Sequence, residues 1–362
     1  MQRVLMFLSN NYGNDPRVKG IAETLARTRN VELLCLDRKN VLPKNEKKGV
    51  IAVGNTRTPI SGPLGLLYFN LKLLAIGMRK EFDVVHANDF DVLMPAFILS
   101  VLRNKPLVYD CHEDYAVFAA DNGLGFLAPL IRFLERLAAR RASVVYCVNP
   151  RLTEEFASEG ANAVLLWNCR DAKDFFFSAN KSNEFLRRYK LKANYYCLSG
   201  TLCKGRNIPE TLEWFSRNPK KTLVVAGRGE LEQLVQDYAA RHANIVFLGL
   251  LSLKESRLLE ANAFALVAVY APYGNNLAAG PPGKLFDAIA SGVPILVGRG
   301  GIAEALVKET GCGLAVDSVA EGLTGLTTIK RRELAANCAQ ARGKYSWKGQ
   351  ARTLDKAYPR AF

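Results

Sequence analysis

The sequence predicts an α/β fold made of two mostly parallel sheets covered by helices. Three observations carry that reading. Apolar runs of strand length alternate with longer helical patterns from the first residues onward; the alternation breaks at a polar connector and starts again; and 362 residues exceed what a single hydrophobic core usually supports. The runs are continuous rather than alternating, as expected of strands buried on both faces.

In chain order, "RVLMFLS", "VELLCL", "DVVHA", "PLVYDC" and "SVVYCV" read as strands, with "DPRVKGIAETLAR" and "LAPLIRFLERLAARR" as helices among them. The connector is "VLLWNCRDAKDFF" (164–176). Beyond it, "YYCLSG", "TLVVAGRG", "NIVFLG", "ALVAVYA", "VPILVG" and "GLAVD" form a second series. Two Rossmann-like halves follow, with expected boundaries at 1–167 and 168–344. The remaining 345–362 includes "YSWKGQARTLDKAY", an amphipathic helix with Trp347, Ala351, Leu354 and Ala357 or Tyr358 near one face. Periodicity leaves open whether it packs on its own domain or crosses back to the first.

With 49% hydrophobic and 23% charged residues the composition is that of a globular protein, without repeats or low-complexity tracts. "MQRVLMFLSNNYG" reads as a first strand rather than a signal peptide, and runs such as "VLMPAFILSVL" are too short to cross a bilayer. None of the eight cysteines forms a C-x-x-C pair, and several lie in apolar strands, which suits a reduced, cytoplasmic setting. The net charge is +15. Residues 1–165 carry 21 Lys+Arg against 17 Asp+Glu, and residues 166–362 carry 28 against 17. Such a balance suits anionic ligands or an acidic membrane surface. Without zinc-ligand spacing, an aromatic-basic pattern or a basic recognition helix, nucleic acid is set aside. "GPLGLLYFNLKLLAIGMRK" (62–80) and "LGFLAPLIRFLERLAARR" (124–141) mix apolar with basic residues. Each reads as a peripheral surface for an anionic membrane or as a buried helix with solvated arginines.

In open α/β sheets ligands bind beyond the carboxyl ends of the strands, so the residues after each strand are the candidates. After the first strand, "SNNYGNDPRVKG" offers Asn14, Asp15 as a helix cap before Pro16, and Arg17. "DVVHANDFD" holds Asp89 and Asp91 at a strand-to-helix junction, where acids meet the helix dipole, and we assign them no metal. "LVYDCHEDY" places His112 at a strand end among Asp110, Glu113 and Asp114. In the second half, "LSGTLCKGRN" brings Gly200, Lys204 and Arg206 together as an anion cradle, and "VVAGRGE" repeats the scheme with Gly227 and Arg228. "LAAGPPGKLFDAIASG" is a loop of small residues containing Gly280, then a helix opening near Gly283, Lys284 and Leu285, with Asp287 one turn on. Small residues expose backbone N–H groups that suit phosphate, and a carboxylate suits a vicinal diol such as ribose. Phosphate and ribose together mean a nucleotide.

Assembled in this order from "NDPRV" through "DVVHANDFD", "VYDCHED", "LSGTLCKGRN", "VVAGRGE" and "PPGKLFDAIASGVP" to "YSWKGQ", these motifs resemble glycosyltransferase family 4 over nearly the whole chain. The chain is also similar to bacterial enzymes that build surface polysaccharides on lipid-linked acceptors. The resemblance implies a GT-B architecture, two Rossmann-like domains facing each other across a cleft. The first would serve the acceptor and the second the nucleotide sugar. It implies transfer from a nucleotide-diphosphate sugar to a saccharide or polyprenyl-linked acceptor, with retention and with neither cofactor nor metal. His112 would lie near the donor sugar, Lys204 and Arg206 at the diphosphate, and Asp287 at the ribose. Asn14, Asp15, Arg17 and Asp89 fall on the acceptor side. The family often presents two glutamates eight positions apart; here those positions hold Ala279 and Asp287. The lost carboxylate leaves two other readings open: a nucleotide-sugar-binding subunit whose catalysis is lost or supplied by a partner, and a GT-B-fold sugar-nucleotide epimerase.

Overall fold

Strand β1 (Arg3–Leu8) sits in the middle of an eight-stranded sheet ordered β3-β4-β2-β1-β5-β6-β7-β8. The others are β2 (Asn30–Leu36), β3 (Asn45–Lys48), β4 (Ile51–Thr56), β5 (Val84–Asn88), β6 (Leu107–Cys111), β7 (Val144–Cys147) and β8 (Ala163–Leu165). All pairings are parallel except β3 with β4. This computed structural model describes residues 1–37, 45–48, 51–59, 62–274, 276 and 283–360. Cα proximity divides the chain into two units, Met1–Trp167 with Gln350–Phe362, and Asn168–Gly349.

Period-two alternation gives the first sheet two buried faces. On one face Leu5, Phe7, Val85, Ala87, Tyr109 and Val145 share a core with helices α2 (Gly62–Met78), α3 (Leu93–Leu102), α5 (Ala128–Arg141) and α6 (Pro150–Ser158). The helix α4 (Tyr115–Asp121) precedes α5 and packs on it. The opposite residues meet α1 (Pro16–Leu25) and the C-terminal helix Trp347–Ala357. Arg17 of α1 reaches Asp110, Tyr146 Oη donates to the Leu354 carbonyl at 2.8 Å, and His86 Nδ1 lies 3.2 Å from Tyr358 Oη. Trp347, Ala351, Leu354 and Tyr358 are all buried, so the apolar face read from the sequence exists. From Gln350 onward this helix belongs to the first unit.

The second unit has a six-stranded, all-parallel sheet ordered β11-β10-β9-β12-β13-β14. Its strands are β9 (Tyr196–Thr201), β10 (Leu223–Arg228), β11 (Ile245–Phe247), β12 (Ala265–Ala268), β13 (Ile295–Gly298) and β14 (Gly313–Val316). One face packs Tyr196, Leu198 and Val225 against Ile208, Leu212 and Phe215 of the helix Ile208–Ser216. Every strand expected from the apolar runs is present. None of the eight cysteines is disulfide-bonded, and all but Cys203 are buried. Each sheet reverses its direction of growth beside its first strand, between β1 and β5 and between β9 and β12, which are the topological switch points where such sheets take ligands.

Candidate functional site

At the β1/β5 switch point of the first unit, charged side chains are ordered into one chain of contacts. Asp15 caps α1, its Oδ1 accepting from the amides of Arg17 and Val18 at 3.1 and 3.0 Å. The capped helix turns Arg17 inward, where Nε and Nη2 meet Asp110 at 3.0 and 2.5 Å and Nη1 donates to the Leu166 carbonyl at 2.6 Å. Arg17 is 2% exposed and Asp110 is fully buried. The expectation that Arg17 meets an acceptor is therefore corrected: its donors are spent inside the protein, and it acts by neutralising Asp110.

Asp110 in turn meets His112 Nε2 at 2.5 Å, and Asp89 Oδ1 lies 2.9 Å from His112 Nδ1. Tyr115 Oη donates to the same Asp89 oxygen. Burial alone would lower the His112 pKa, but Asp89 and Asp110 outweigh it and hold the ring well above its ordinary value. Burial would likewise raise the Asp110 carboxyl, yet Arg17 and His112 keep it well below the usual carboxylate range. His112 is thus an imidazolium with both N–H groups directed at carboxylates. It offers fixed positive charge at a strand end and has no lone pair to act as a base. Asp89 is held with φ at 77°, a conformation that L side chains rarely adopt, and its amide donates to the Asp110 carbonyl at 3.0 Å. Asp15, Asp89 and His112 each place a potential ligand atom within 4.8 Å of the others. A cation there would have to take the Nδ1 proton whose affinity the two carboxylates raise, so the donor set suits a retained proton better than a metal. The side chain of Asn14 lies outside the described residues.

At the carboxyl ends of β9 and β10 in the second unit the backbone itself forms the surface. Gly227 and Gly229 have φ of 146° and 156°, and a Cβ on them would lie 1.8 Å from the Gly200 carbonyl oxygen and 2.3 Å from that of Leu202. Only glycine permits the β9 and β10 loops to approach so closely. A pocket of about 330 Å³ opens there, lined by Gly200, Thr201, Gly227, Arg228, Leu250 and Ser256 among others. Lys204 is exposed, with its amide held by Glu230 Oε1 at 2.7 Å. The Arg206 guanidinium stacks 4.7 Å from the Tyr270 ring centroid and its Nη1 donates to Tyr270 Oη at 3.0 Å. Stacking fixes the plane of the guanidinium while leaving other donors unspent.

The helix Gly283–Ser291 carries the remaining candidates, and here the structure changes two expectations. Lys284 does not extend toward a ligand: Nζ is held by Glu260 Oε1 at 2.6 Å and by Asp287 Oδ2 at 3.0 Å. The Leu285 side chain is fully buried, so only its backbone could meet a ligand. Asp287 also pairs through Oδ1 with Arg170 Nε at 3.1 Å. Burial would raise its carboxyl, but Lys284 and Arg170 hold it below the ordinary value. Sequence reasoning missed Glu260, which is 1% exposed and accepts from Ser199 Oγ at 2.9 Å and Ser256 Oγ at 3.1 Å. It missed Arg170 and Tyr270 as well. No spacing links these positions to the motif they serve, and only folding brings them to it. Gly280 and Ala279 lie outside the described residues.

Comparison with known proteins agrees with this architecture. HepE of Anabaena, solved in complex with UDP-glucose, superposes with a TM-score of 0.74 at 17% identity, covering 98% of this chain and 99% of that one. Sucrose-phosphate synthase of Thermosynechococcus elongatus gives 0.80 at 15% identity, covering 99% and 98%. The fold is that of the GT-B glycosyltransferases. Residues 17–171 match the model of Glycosyltransferase Family 4, the family that the motifs resemble. Among curated relatives, the glycogen synthase of Mycobacterium tuberculosis is 27% identical over 267 residues, 69% of this chain; the match spans 61% of the relative's length.

Proposed function

We propose that the protein transfers a sugar, with retention and without a metal ion, from a nucleotide-diphosphate sugar to a saccharide or polyprenyl-linked acceptor in bacterial surface polysaccharide synthesis. The observation that carries this reading is the glycine-lined backbone surface at the ends of β9 and β10, with Lys204, Arg206 and Arg228 beside it. Cations beside a backbone that glycines leave uncovered stabilise a diphosphate, and more so as negative charge grows on it when the glycosidic bond breaks. Asp287 keeps lone pairs beyond those used by Lys284 and Arg170, enough to accept from a ribose diol. In the first unit, the acceptor side of this reading, His112 supplies positive charge near the transferred sugar. With its ring protonated, the acceptor's proton passes to a phosphate oxygen of the leaving diphosphate, and the hydroxyl enters on the face from which that phosphate departs. A polyprenyl-linked acceptor places this work at the inner face of a bacterial membrane.

One observation favours a second reading. Ala279 stands where the family often presents an acid, which suits a nucleotide-sugar-binding subunit with no turnover of its own. Labelled UDP-, GDP-, ADP- and dTDP-sugars, incubated with the protein and a bacterial lipid extract in excess EDTA, separate the two. Transfer of label to lipid is the expected result. Binding by thermal shift without transfer supports the subunit, and loss of transfer in EDTA restored by Mn²⁺ overturns the metal-free mechanism.

A further inference from the structure

Large apolar side chains are exposed on this protein in one region far more than elsewhere. Of the nineteen exposed among the described residues, fourteen fall between Leu64 and Leu137, on the helices that cover one face of the first sheet. The helix α2 buries Gly65, Phe69, Leu73 and Gly77 toward the sheet and turns Leu64, Leu67, Tyr68 and Leu71 outward. The adjoining α3 exposes Ile98, Val101 and Leu102. On α5 and the turn before it, Phe126, Leu130, Phe133 and Leu137 follow the 3.6-residue period on the outward side, while Glu135, Ala138 and Ala139 face in. Apolar patches of this extent on a protein surface mark an interaction site.

Charge identifies the occupant. Within 62–80 and 124–141 there are seven Lys and Arg and a single acid, Glu135, which is buried against Tyr109 Oη at 2.5 Å. Arg132, Arg136 and Arg140 recur every fourth residue and line a groove of about 670 Å³ along α5, together with Phe133 and Leu137. Glu155 and Glu159 tether Arg132 and Arg136, whereas no carboxylate among the described residues pairs with Arg140 or Arg141. A second copy seated here by twofold symmetry would bring the same arginines face to face, at a cost in like-charge repulsion. We propose that the outward face of α2, α3 and α5 docks on an anionic lipid bilayer, its apolar side chains entering the acyl boundary and its arginines meeting headgroup phosphates. No helix among the described residues is long and apolar enough to cross a membrane, so the contact is interfacial. The biological purpose rests on the polyprenyl-linked acceptor reading; the surface itself does not.

Flotation of the full-length protein with phosphatidylcholine vesicles, and with vesicles containing phosphatidylglycerol, tests the assignment. The protein floats with the anionic vesicles, stays behind with the neutral ones, and is released as salt rises. Phe126→Asp/Phe133→Asp abolishes flotation, and Arg140→Gln/Arg141→Gln lowers partitioning about fivefold per arginine. All four positions are solvent-facing, so both variants keep the wild-type circular dichroism and melting temperature. Wild type that stays at the bottom with anionic vesicles at low salt overturns the proposal, as does equal flotation of both variants. A dimer in sedimentation velocity that Phe133→Asp dissociates, without vesicle binding, overturns it in favour of a second copy. Donor-induced thermal shifts on the same variants keep the two readings apart: flotation without any donor binding defeats the transferase and leaves the surface standing.

Discussion

His112 keeps its proton because carboxylates face both of its nitrogens, and that arrangement has a measurable sign. A group whose pKa is raised on folding contributes stability that is complete below its unfolded value and disappears as pH rises through the folded one. The stability difference between wild type and His112→Gln should therefore be full below about pH 6.5, on the order of 2 kcal/mol for hydrogen bonds to charged groups, and should shrink in alkaline solution. Urea unfolding across a pH series decides it, and a difference that grows with pH would refute the assignment of charge. In the second unit, Lys284→Met should destabilise by about 3–5 kcal/mol, since it strands Glu260 and Asp287 without their cation. Adding Glu260→Gln removes one stranded charge, so the double variant should regain stability and the cycle should show a coupling above about 1 kcal/mol. Strictly additive effects would mean that the contact is energetically idle. The sequence pointed to Lys284 and Asp287 because both follow a glycine-rich loop at a helix start. It could not show that they grip each other and Glu260, because that partner lies on a different helix.

Among the elements, the parallel strands were legible because burial on both faces makes them continuous apolar runs. The strand β3 carries no such signal, since "NEKK" is an edge strand with no apolar period to reveal it. The helix α2 is ambiguous in sequence for the opposite reason: it is apolar all round, so periodicity cannot choose which side turns inward. Gly77 settles that choice, because a Cβ there would lie 2.4 Å from Leu99 of α3. The C-terminal helix shows the same limit. Its buried face was legible, but its partners Tyr146 and His86 stand some two hundred or more residues upstream, beyond any local signal. From its packing we expect Leu354→Ala, at a fully buried position, to cost about 2–5 kcal/mol. Hydrogen exchange should locate the loss in β5 and β7, whose side chains carry the helix. Protection lost in β9 and β10 with β5 unchanged would show that the helix stabilises the other unit instead.

At the scale of the whole molecule the +15 charge is unevenly placed, with 28 basic against 17 acidic residues after position 165. Many of these cations are already engaged: Lys284 by Glu260 and Asp287, Arg170 by Asp287, Arg257 by Asp174, and Arg299 by Asp317 and Glu321. Lys204 and Arg228 are exposed beside the glycine surface, and Arg206 is stacked beneath its tyrosine. A nucleotide-diphosphate donor would meet an excess field of opposite sign as it approaches and a smaller set of fixed cations once bound. The two act over different distances. Long-range attraction between exposed charges is screened as the Debye length falls from about 10 Å at 0.1 M salt to about 3 Å at 1 M, whereas contacts in a partly buried site are screened much less. Raising ionic strength over this range should therefore lower kcat/KM for the donor several-fold while leaving kcat at saturating donor nearly flat. Arg206→Ala should do the reverse, lowering kcat by about a hundredfold or more through lost stabilisation of the leaving diphosphate, with the slope against salt little changed. Steady-state kinetics of both proteins across the salt series make the comparison. If kcat and kcat/KM fall together with salt in the wild type, the fixed cations are screened like the rest, and the backbone surface at β9 and β10 does not shield a diphosphate from solvent.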